Sequence, residues 1–471
     1  MMHSFAIDRL IAVSAAACAL IAGQCAAAEI DQISLQLPAA MTVLEPLPPV
    51  SPDATPANSL SLADLEQLAL GSNPSLRRMA ALVGAARGNA LQAGLPPNPN
   101  VGYEGQQLGS GGLAEQHGVV FSQEIIRGGK LRLSRAVADR ERMRREQELI
   151  AQELRVLTDV RVGYFETLLA QKQIELAGNL VQIGEEGART VDELFRAEEV
   201  SRADVLQAQL EVENARLISQ NARNRHRAAW QELSAVVGDP SLAPQDLAGD
   251  PLASSPVIDY QAALSRILSS SPEIAAAMIE IERSNVALQR ARVEPVSNVN
   301  VEGLVNWRDN GIGGKPDGGV AVSVPIPVLN RNQGAIAQAN HELMASRQAL
   351  NELELALQKR LAATFEQYSN ARTQADRYGA IILPSADESL ALTRKMYAAG
   401  EANYIALLTA QRTYSQTQLN YLEALRALRV AEAQIDGLLL SGSLQGGADT
   451  TPATRDVRNS PIPGDIGIFG R

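Results

Sequence analysis

The chain has 471 residues, 42 Lys plus Arg against 53 Asp plus Glu, and a net charge of −11, which argues against a nucleic-acid binder with its basic patch. Only 17 aromatic residues are present, six Phe, two Trp and nine Tyr, while Ala, Leu, Gln, Glu and Arg abound, as in long helices and coiled coils. Both Cys, Cys18 and Cys25, fall in the first 25 residues, so the remainder of the chain holds no Cys-based zinc site, iron–sulfur cluster or disulfide framework.

At the N-terminus, Arg9, the apolar run Leu10 to Gly23 and Ala26-Ala27-Ala28 form an export signal over 1–28, with cleavage expected after Ala28. Gln24 before Cys25 makes a poor lipidation site, so the mature chain is expected to be unlipidated and free of cysteine. A Pro-rich linker over 29–58 suits an extended tether. The Gly/Thr/Pro-rich stretch 441–471 reads as a disordered tail. No run after the signal reaches the roughly 18 apolar residues of a spanning helix, so a membrane role would need β-strands.

The body, 59–440, is duplicated. Asn73-Pro74 matches Ser271-Pro272, Gly105 matches Gly303, Tyr164 matches Phe365, and Ala208-Gln209 matches Ala410-Gln411, at an offset that rises slowly as one longer loop would produce. The first repeat, 59–250, carries expected strands at about 99–109 and 116–126, a long helix at about 129–196 and a returning helix at 202–237. The second, 251–440, carries strands at about 296–308 and 318–327, a long helix at about 331–399 and a returning helix at 403–440. Each repeat opens with a short helix and an Asn-Pro or Ser-Pro start signal. A helix of nearly 70 residues is roughly 100 Å long, beyond any globular helix. Pro384 should bend or break the second one.

The returning helices show heptads. Leu407, Tyr414, Tyr421, Leu428 and Ile435 alternate with Ala410, Thr417, Ala424, Ala431 and Leu438. The first repeat gives Val205, Val212, Ser219, His226 and Leu233 with Ala208, Ala215, Ala222, Ala229 and Val236. His226 stands where its mate is Leu428, and reads as a seam residue.

The strands alternate with period two. Val101 and Tyr103, Val299, Val301, Val305 and Trp307, and Val320, Val322 and Val324 share one face, against Asn100, Glu104, Asn300, Glu302 and Asn306 on the other. Apolar-out, polar-in alternation over about ten residues is the signature of a membrane barrel, although a half-buried soluble sheet alternates too. The export signal favours the membrane, and the first group is then lipid-facing. Four strands cannot close around a lumen and lipid forbids open edges, so the membrane reading requires an oligomer.

Several segments stand in a recognisable order: Asn73-Pro74, then Gly94-Leu95-Pro96-Pro97-Asn98-Pro99 before the first strand, then Gln123-Glu124-Ile125 with Gly128-Gly129-Lys130 after the second. Tyr397-Ala398-Ala399-Gly400-Glu401 followed by Leu407-Leu408-Thr409-Ala410-Gln411 completes the set. With these segments the chain resembles the TolC-like outer-membrane efflux proteins. The Leu-Pro-Pro-Asn-Pro and Gly-Gly-Lys segments look most like the heavy-metal, cobalt–zinc–cadmium branch. The resemblance implies a mainly α fold with a small β part: two repeats of long coiled-coil helices and four transmembrane strands per chain, with a homotrimer forming a twelve-stranded barrel and a helical periplasmic tunnel. It implies a passive conduit for heavy-metal cations or small toxic compounds, handed over by an inner-membrane pump and a periplasmic adaptor. A type I secretion or multidrug tunnel is the nearest alternative, and a periplasmic coiled-coil adaptor or structural protein the more distant one.

The resemblance further implies that the turns between long and returning helices face the adaptor: Glu198, Glu199, Val200 and Ser201 in one repeat, Gly400, Glu401, Ala402 and Asn403 in the other. Gly400 matches the family's turn glycine, and Glu198 stands in its place in the first repeat. Ala406 and Thr409 occupy positions where the family often has acidic residues, so a tunnel constriction would draw on Asp204, Glu401 and Tyr397, with Glu198 and Glu199 beside them. The same charges also suit ordinary solvated turns. No catalytic or metal residue and no cofactor is expected: Pro316 spoils the Gly-rich Gly311-Ile312-Gly313-Gly314-Lys315 as a dinucleotide fingerprint, and His117, His226 and His341 have no ligand spacing.

Overall fold

The computed structural model describes residues 59–109, 111, 115–253, 256–309 and 315–445. The expected signal peptide and linker, and all of the tail beyond 445, lie outside them. The described residues form one compact unit.

Each repeat starts with a short helix, α1 (Leu62–Ser72) or α5 (Tyr260–Ser270), followed directly by α2 (Pro74–Ala93) or α6 (Pro272–Val293). The first joint is set by side-chain chemistry, whereas Ser271 at the second makes no side-chain cap bond. The Asn73 side chain accepts the Ser75 N–H at 2.8 Å, and Pro74 sits where its missing N–H leaves no helical bond unmade. Asn73 also donates to the Val236 carbonyl, which ties the joint to the returning helix.

Two strands then precede each long helix: β1 (Asn100–Gln106) and β2 (Gln116–Ile125), β3 (Val299–Asp309) and β4 (Asp317–Ser323). They make one antiparallel sheet in the order β1-β2-β3-β4. The fourth strand, expected to reach 327, ends at Ser323, because Pro325 and Pro327 cannot donate to a ladder.

The long helix α3 (Lys130–Arg196) is unbroken over 67 residues and returns as α4 (Arg202–Val237). Its counterpart is not continuous. After α7 (Gln333–Arg377) comes a π-turn, Tyr378–Ile382, and then α8 (Leu383–Ala398). Pro384 lacks the N–H owed to the preceding turn and its ring crowds that turn's carbonyl, and the wider π geometry relieves both. Gly379 leaves room for Tyr421 of α9 (Tyr404–Asp436), whose hydroxyl would lie 3.1 Å from any Cβ built there.

Along α3 lie α2, α4 and α6; α9 packs on α7, α8 and α3. The seam of α4 is buried at Val205, Val212, Ser219 and Leu233 and at Ala208, Ala215, Ala222 and Ala229, with His226 half-buried beside Trp230. Small seam residues let the axes approach: a Cβ on Gly163 of α3 would meet Leu233 at 3.2 Å. Leu65, Val156, Val160, Trp230 and Leu233 form one core, and Ile267, Leu357, Leu361, Leu428 and Ile435 the equivalent one in the second repeat. Each such side chain is worth about 1.5–3 kcal/mol when fully buried.

The last helix stops at Asp436, short of the expected 440. Leu438 and Leu439 take left-handed conformations (φ 56° and 61°), and Leu440 is 1% exposed. The stretch from Ser441, expected to be a loose tail, begins with residues fastened to α3. The Asp159 carboxylate accepts the Gly442 and Ser443 N–H groups at 3.0 and 2.6 Å, and Gln152 donates to the Ser443 carbonyl at 2.9 Å.

Candidate functional site

Two regions hold the sequence-predicted site residues: the sheet and the hairpin turns.

Opposed residues in an antiparallel pair share a face, so the register fixes the faces. Tyr103 opposes Val119, which opposes Val305; Val101 opposes Phe121; Val301 opposes Val322. Val101, Val305, Val320 and Val322 are 70, 58, 80 and 62% exposed in the single chain. Val299 and Val301 are half-covered and lie on the same face, and Val324 follows β4 at 45% exposure. The other face carries Asn100, Glu104, Ser122, Glu124, Asn300, Glu302, Asn306 and Asp317, with Asn306 buried and donating to Asp317 at 2.8 Å. A bulge between His117 and Gly118 places Trp307 beside Tyr103, ring centroids 6.1 Å apart, while the Tyr103 hydroxyl and His117 Nδ1 are hydrogen-bonded at 2.6 Å. An aromatic cluster thus edges the apolar face near the hairpin loops. Among the described residues, the outer strands β1 and β4 present seven residues each with no neighbour on their far side.

The two hairpin turns have the same construction. Glu199 N–H bonds the Leu194 carbonyl at 2.9 Å and Glu198 N–H the Phe195 carbonyl at 3.0 Å. In the second repeat Glu401 bonds Met396 at 2.9 Å and Gly400 bonds Tyr397 at 3.0 Å. Both are Schellman closures with one left-handed residue, Glu198 at φ 60° and Gly400 at φ 73°. Glycine reaches that region freely; Glu198 is held there by the two bonds around it.

The next helices start with different devices. Ser201 caps α4 in a capping box: Asp204 N–H donates to the Ser201 hydroxyl, and the Asp204 carboxylate accepts the Ser201 N–H at 2.9 Å and its hydroxyl at 2.7 Å. Those bonds hold the Asp204 carboxyl below its ordinary range. Asn403 caps α9 through the Ala406 N–H. Glu198, Glu199, Gly400 and Glu401 are exposed, Val200 and Ala402 half-covered.

Tyr397 does not sit at the surface of the turn. It packs half-buried in an apolar cluster of Val191, Val205, Ala208, Tyr404 and Leu408, its ring 6.2 Å from Tyr404, and its hydroxyl is buried without a partner among the described residues. Burial, with the nearby Asp204 charge, pushes its phenol pKa up. The cluster joins the two hairpins, and two bonds from Arg412, Nε and Nη2, to one oxygen of Glu211 at 3.0 and 2.7 Å tie α9 to α4 just beyond it. Sequence reading missed Tyr404, Leu408 and this pair. No local signal marked the pair, since Glu211 corresponds to Thr413 and Arg412 to Leu210 in the repeat register.

Among the described residues no group of three or more His, Cys, Asp or Glu is arranged to hold a metal, and no helix is long and apolar enough to cross a membrane.

Comparison with known proteins bears on this arrangement. The family described as "Outer membrane efflux protein" matches residues 65–239 and again 263–439, one match per repeat. The chain belongs to the outer membrane efflux protein family. It is an outer-membrane efflux channel of TolC-like fold. Among its relatives is the cobalt-zinc-cadmium resistance protein CzcC of Cupriavidus metallidurans, 27% identical over 387 residues, covering 81% of this chain and 90% of that one. The alkaline protease secretion protein AprF of Pseudomonas aeruginosa is 26% identical over 373 residues, 74% of this chain and 75% of its own. Among solved structures, the outer membrane protein VceC of Vibrio cholerae superposes with a TM-score of 0.66 at 18% identity, over 81% of this chain and 96% of that one.

Proposed function

We propose that three copies close head to tail into a twelve-stranded barrel, and that the channel is the outer-membrane member of a three-part export system. The observation that carries this is the open sheet: one apolar face, one polar face and two free seven-residue edges among the described residues. Such edges are untenable in lipid unless another chain pairs with them. The helices support the same closure. The first-repeat side of the molecule exposes Leu206 and Leu210 on α4, the second-repeat side Leu392 and Met396 on α8, so each side offers apolar surface to a neighbour. A head-to-tail contact repeated by rotation gives a ring.

The cargo of this reading is a cation, heavy-metal ions first. Glu104, Glu124, Glu302 and Asp317 lie on the sheet face that would line the lumen. The match to CzcC covers more of that protein than the match to AprF covers of its own, which favours metal efflux over protein secretion. The turns at Glu198–Ser201 and Gly400–Asn403 serve as adaptor-facing tips, with Asp204 and Glu401 near the tunnel mouth. Tyr397 acts there by holding the hairpins together. A signal peptide cleaved after Ala28 delivers the chain.

Because the mature chain is free of cysteine, pairs of cysteines introduced on β1 and β4 report edge pairing directly. The expected result is disulfide-linked ladders ending at three chains in the outer-membrane fraction. Uncross-linked monomer in the soluble periplasmic fraction would overturn the proposal.

A further inference from the structure

We infer that the helix-side rim of the sheet is a docking surface for anionic phospholipid headgroups of the periplasmic leaflet, held by Arg127, Arg132 and Arg331. This rests on the membrane reading of the sheet.

The apolar face has two different ends. Toward the hairpin loops it finishes in Tyr103, Trp307 and His117. Toward the helices it finishes in Ile125, 49% exposed, and in Val324 beyond β4, 45% exposed. The arginines lie in and beside the connectors that follow it. Arg127 stands two residues past Ile125 in the connector to α3, Arg132 lies in the first turn of α3, and Arg331 lies in the connector from β4 to α7.

All three are exposed, and none forms an ion pair among the described residues. The local carboxylates are engaged elsewhere. Glu294 meets Lys130 at 3.5 Å and also binds Arg290, Glu124 accepts from Asn298 at 2.7 Å, and Asp139 lies 3.8 Å from Arg135. The arginines also stand apart from the lumen side. The cleft under the polar face is lined by Lys130, Asn330 and Asn332, whereas Arg331, between the last two, and Arg127 and Arg132 take no part in its lining.

Unpaired guanidinium groups just below an apolar band stand at headgroup depth. Arginine binds phosphate in a bidentate fashion, and basic groups at an anionic surface contribute about 1 kcal/mol each, roughly fivefold in affinity. Free phosphate would gain the charge contacts but not the apolar band above them, so the occupant is the lipid.

The test uses the purified full chain in neutral detergent. Thermal stability is titrated with phosphatidylglycerol, with phosphatidylcholine and with inorganic phosphate. The combined variant Arg127→Gln/Arg132→Gln/Arg331→Gln should weaken the apparent affinity for phosphatidylglycerol by on the order of 100-fold and leave that for phosphatidylcholine unchanged. Arg223→Gln/Arg227→Gln, on α4 away from the rim, should change neither. If the triple variant fails to assemble, each single variant should show its own loss of about fivefold. An unchanged preference for phosphatidylglycerol, or equal stabilisation by inorganic phosphate, would overturn the inference. Cell fractionation separates this from the larger reading: a wild-type channel found in the outer membrane without the arginine effect defeats only the rim, whereas a soluble wild type defeats both.

Discussion

The two hairpin turns allow a paired test, because one fold solution is built from two sequences. Glu198 and Gly400 occupy the same left-handed position, φ 60° and 73°. A non-glycine residue there costs about 1–2 kcal/mol, and glycine gives back about 0.4–1 kcal/mol through the freedom of the unfolded chain. Glu198→Gly should therefore stabilise the first turn by about 0.5–1 kcal/mol. Gly400→Ala should destabilise the second by a similar amount, and the cost is conformational only, since a Cβ at 400 meets nothing within 4 Å. Gly400→Val should cost more, because a β-branched residue is a true outlier at positive φ. The readout is hydrogen exchange at the Glu199 and Glu401 amides, which close the turns onto Leu194 and Met396. Protection at Glu199 should rise about two- to fivefold in Glu198→Gly, and protection at Glu401 should fall by the same factor in Gly400→Ala. Unchanged protection at both sites would refute the left-handed closure and with it the equivalence of the two tips.

Other tests address the faces, the charge and the seam. Val301→Arg or Val322→Arg, an opposed pair on the apolar face, should impair insertion, since a charge near the bilayer midplane of a barrel costs roughly 2–4 kcal/mol; Asn300→Arg should be far better tolerated, and equal yields of heat-resistant assembly would contradict the assigned faces. Neutralising Glu198, Glu199, Asp204 and Glu401 together should lower the cation-to-anion permeability ratio in planar bilayers, because charges repeated around an axis focus the field; an unaltered ratio would leave the tips only a docking role. Burial lowers the pKa of His226 below its ordinary 6.5, against a smaller opposing pull from Asp246. The unfolded chain then takes up that proton first, so stability is lost as pH falls through 6.5 and is untouched above it. His226→Leu, copying Leu428, should flatten this acid-side loss in denaturant titrations at about pH 5 and about pH 8; an identical slope in both proteins would show that the imidazole is already solvated.

Whatever depends on local chemistry or strict period is legible in the sequence. The helix joint at Asn73-Pro74 is visible because a capping side chain and a missing N–H act within two residues. The opposed faces of the sheet are visible because side chains alternate, and the seam of α4 because small residues recur every seven. Duplication doubles each of these signals. The features that stay hidden depend on distant contacts. Pro384 announces a disturbed helix, but the packing of Gly379 against Tyr421 beside it does not show in the sequence. Leu438 and Leu439 give no hint of left-handed backbone, which precedes residues fastened to Asp159. Glu198 looks like a departure from a glycine turn, yet the bonds on either side hold it in the same shape. Tyr397 misleads for the same reason: a tyrosine beside a turn reads as displayed, and only packing from both hairpins shows it drawn inward.

The fastening of the chain's last described residues has a consequence for the order of events in folding. Asp159 waits for partners 283 and 284 residues later in the chain. The first repeat can therefore leave the ribosome, be exported and pair α3 with α4 while its own carboxylate is still hydrated. Contacts this non-local come late, because their closure entropy is met before any reward. The bonds to Gly442 and Ser443 act as a completion mark: a chain truncated before Gly442 would keep both hairpins yet leave the halves unbuckled.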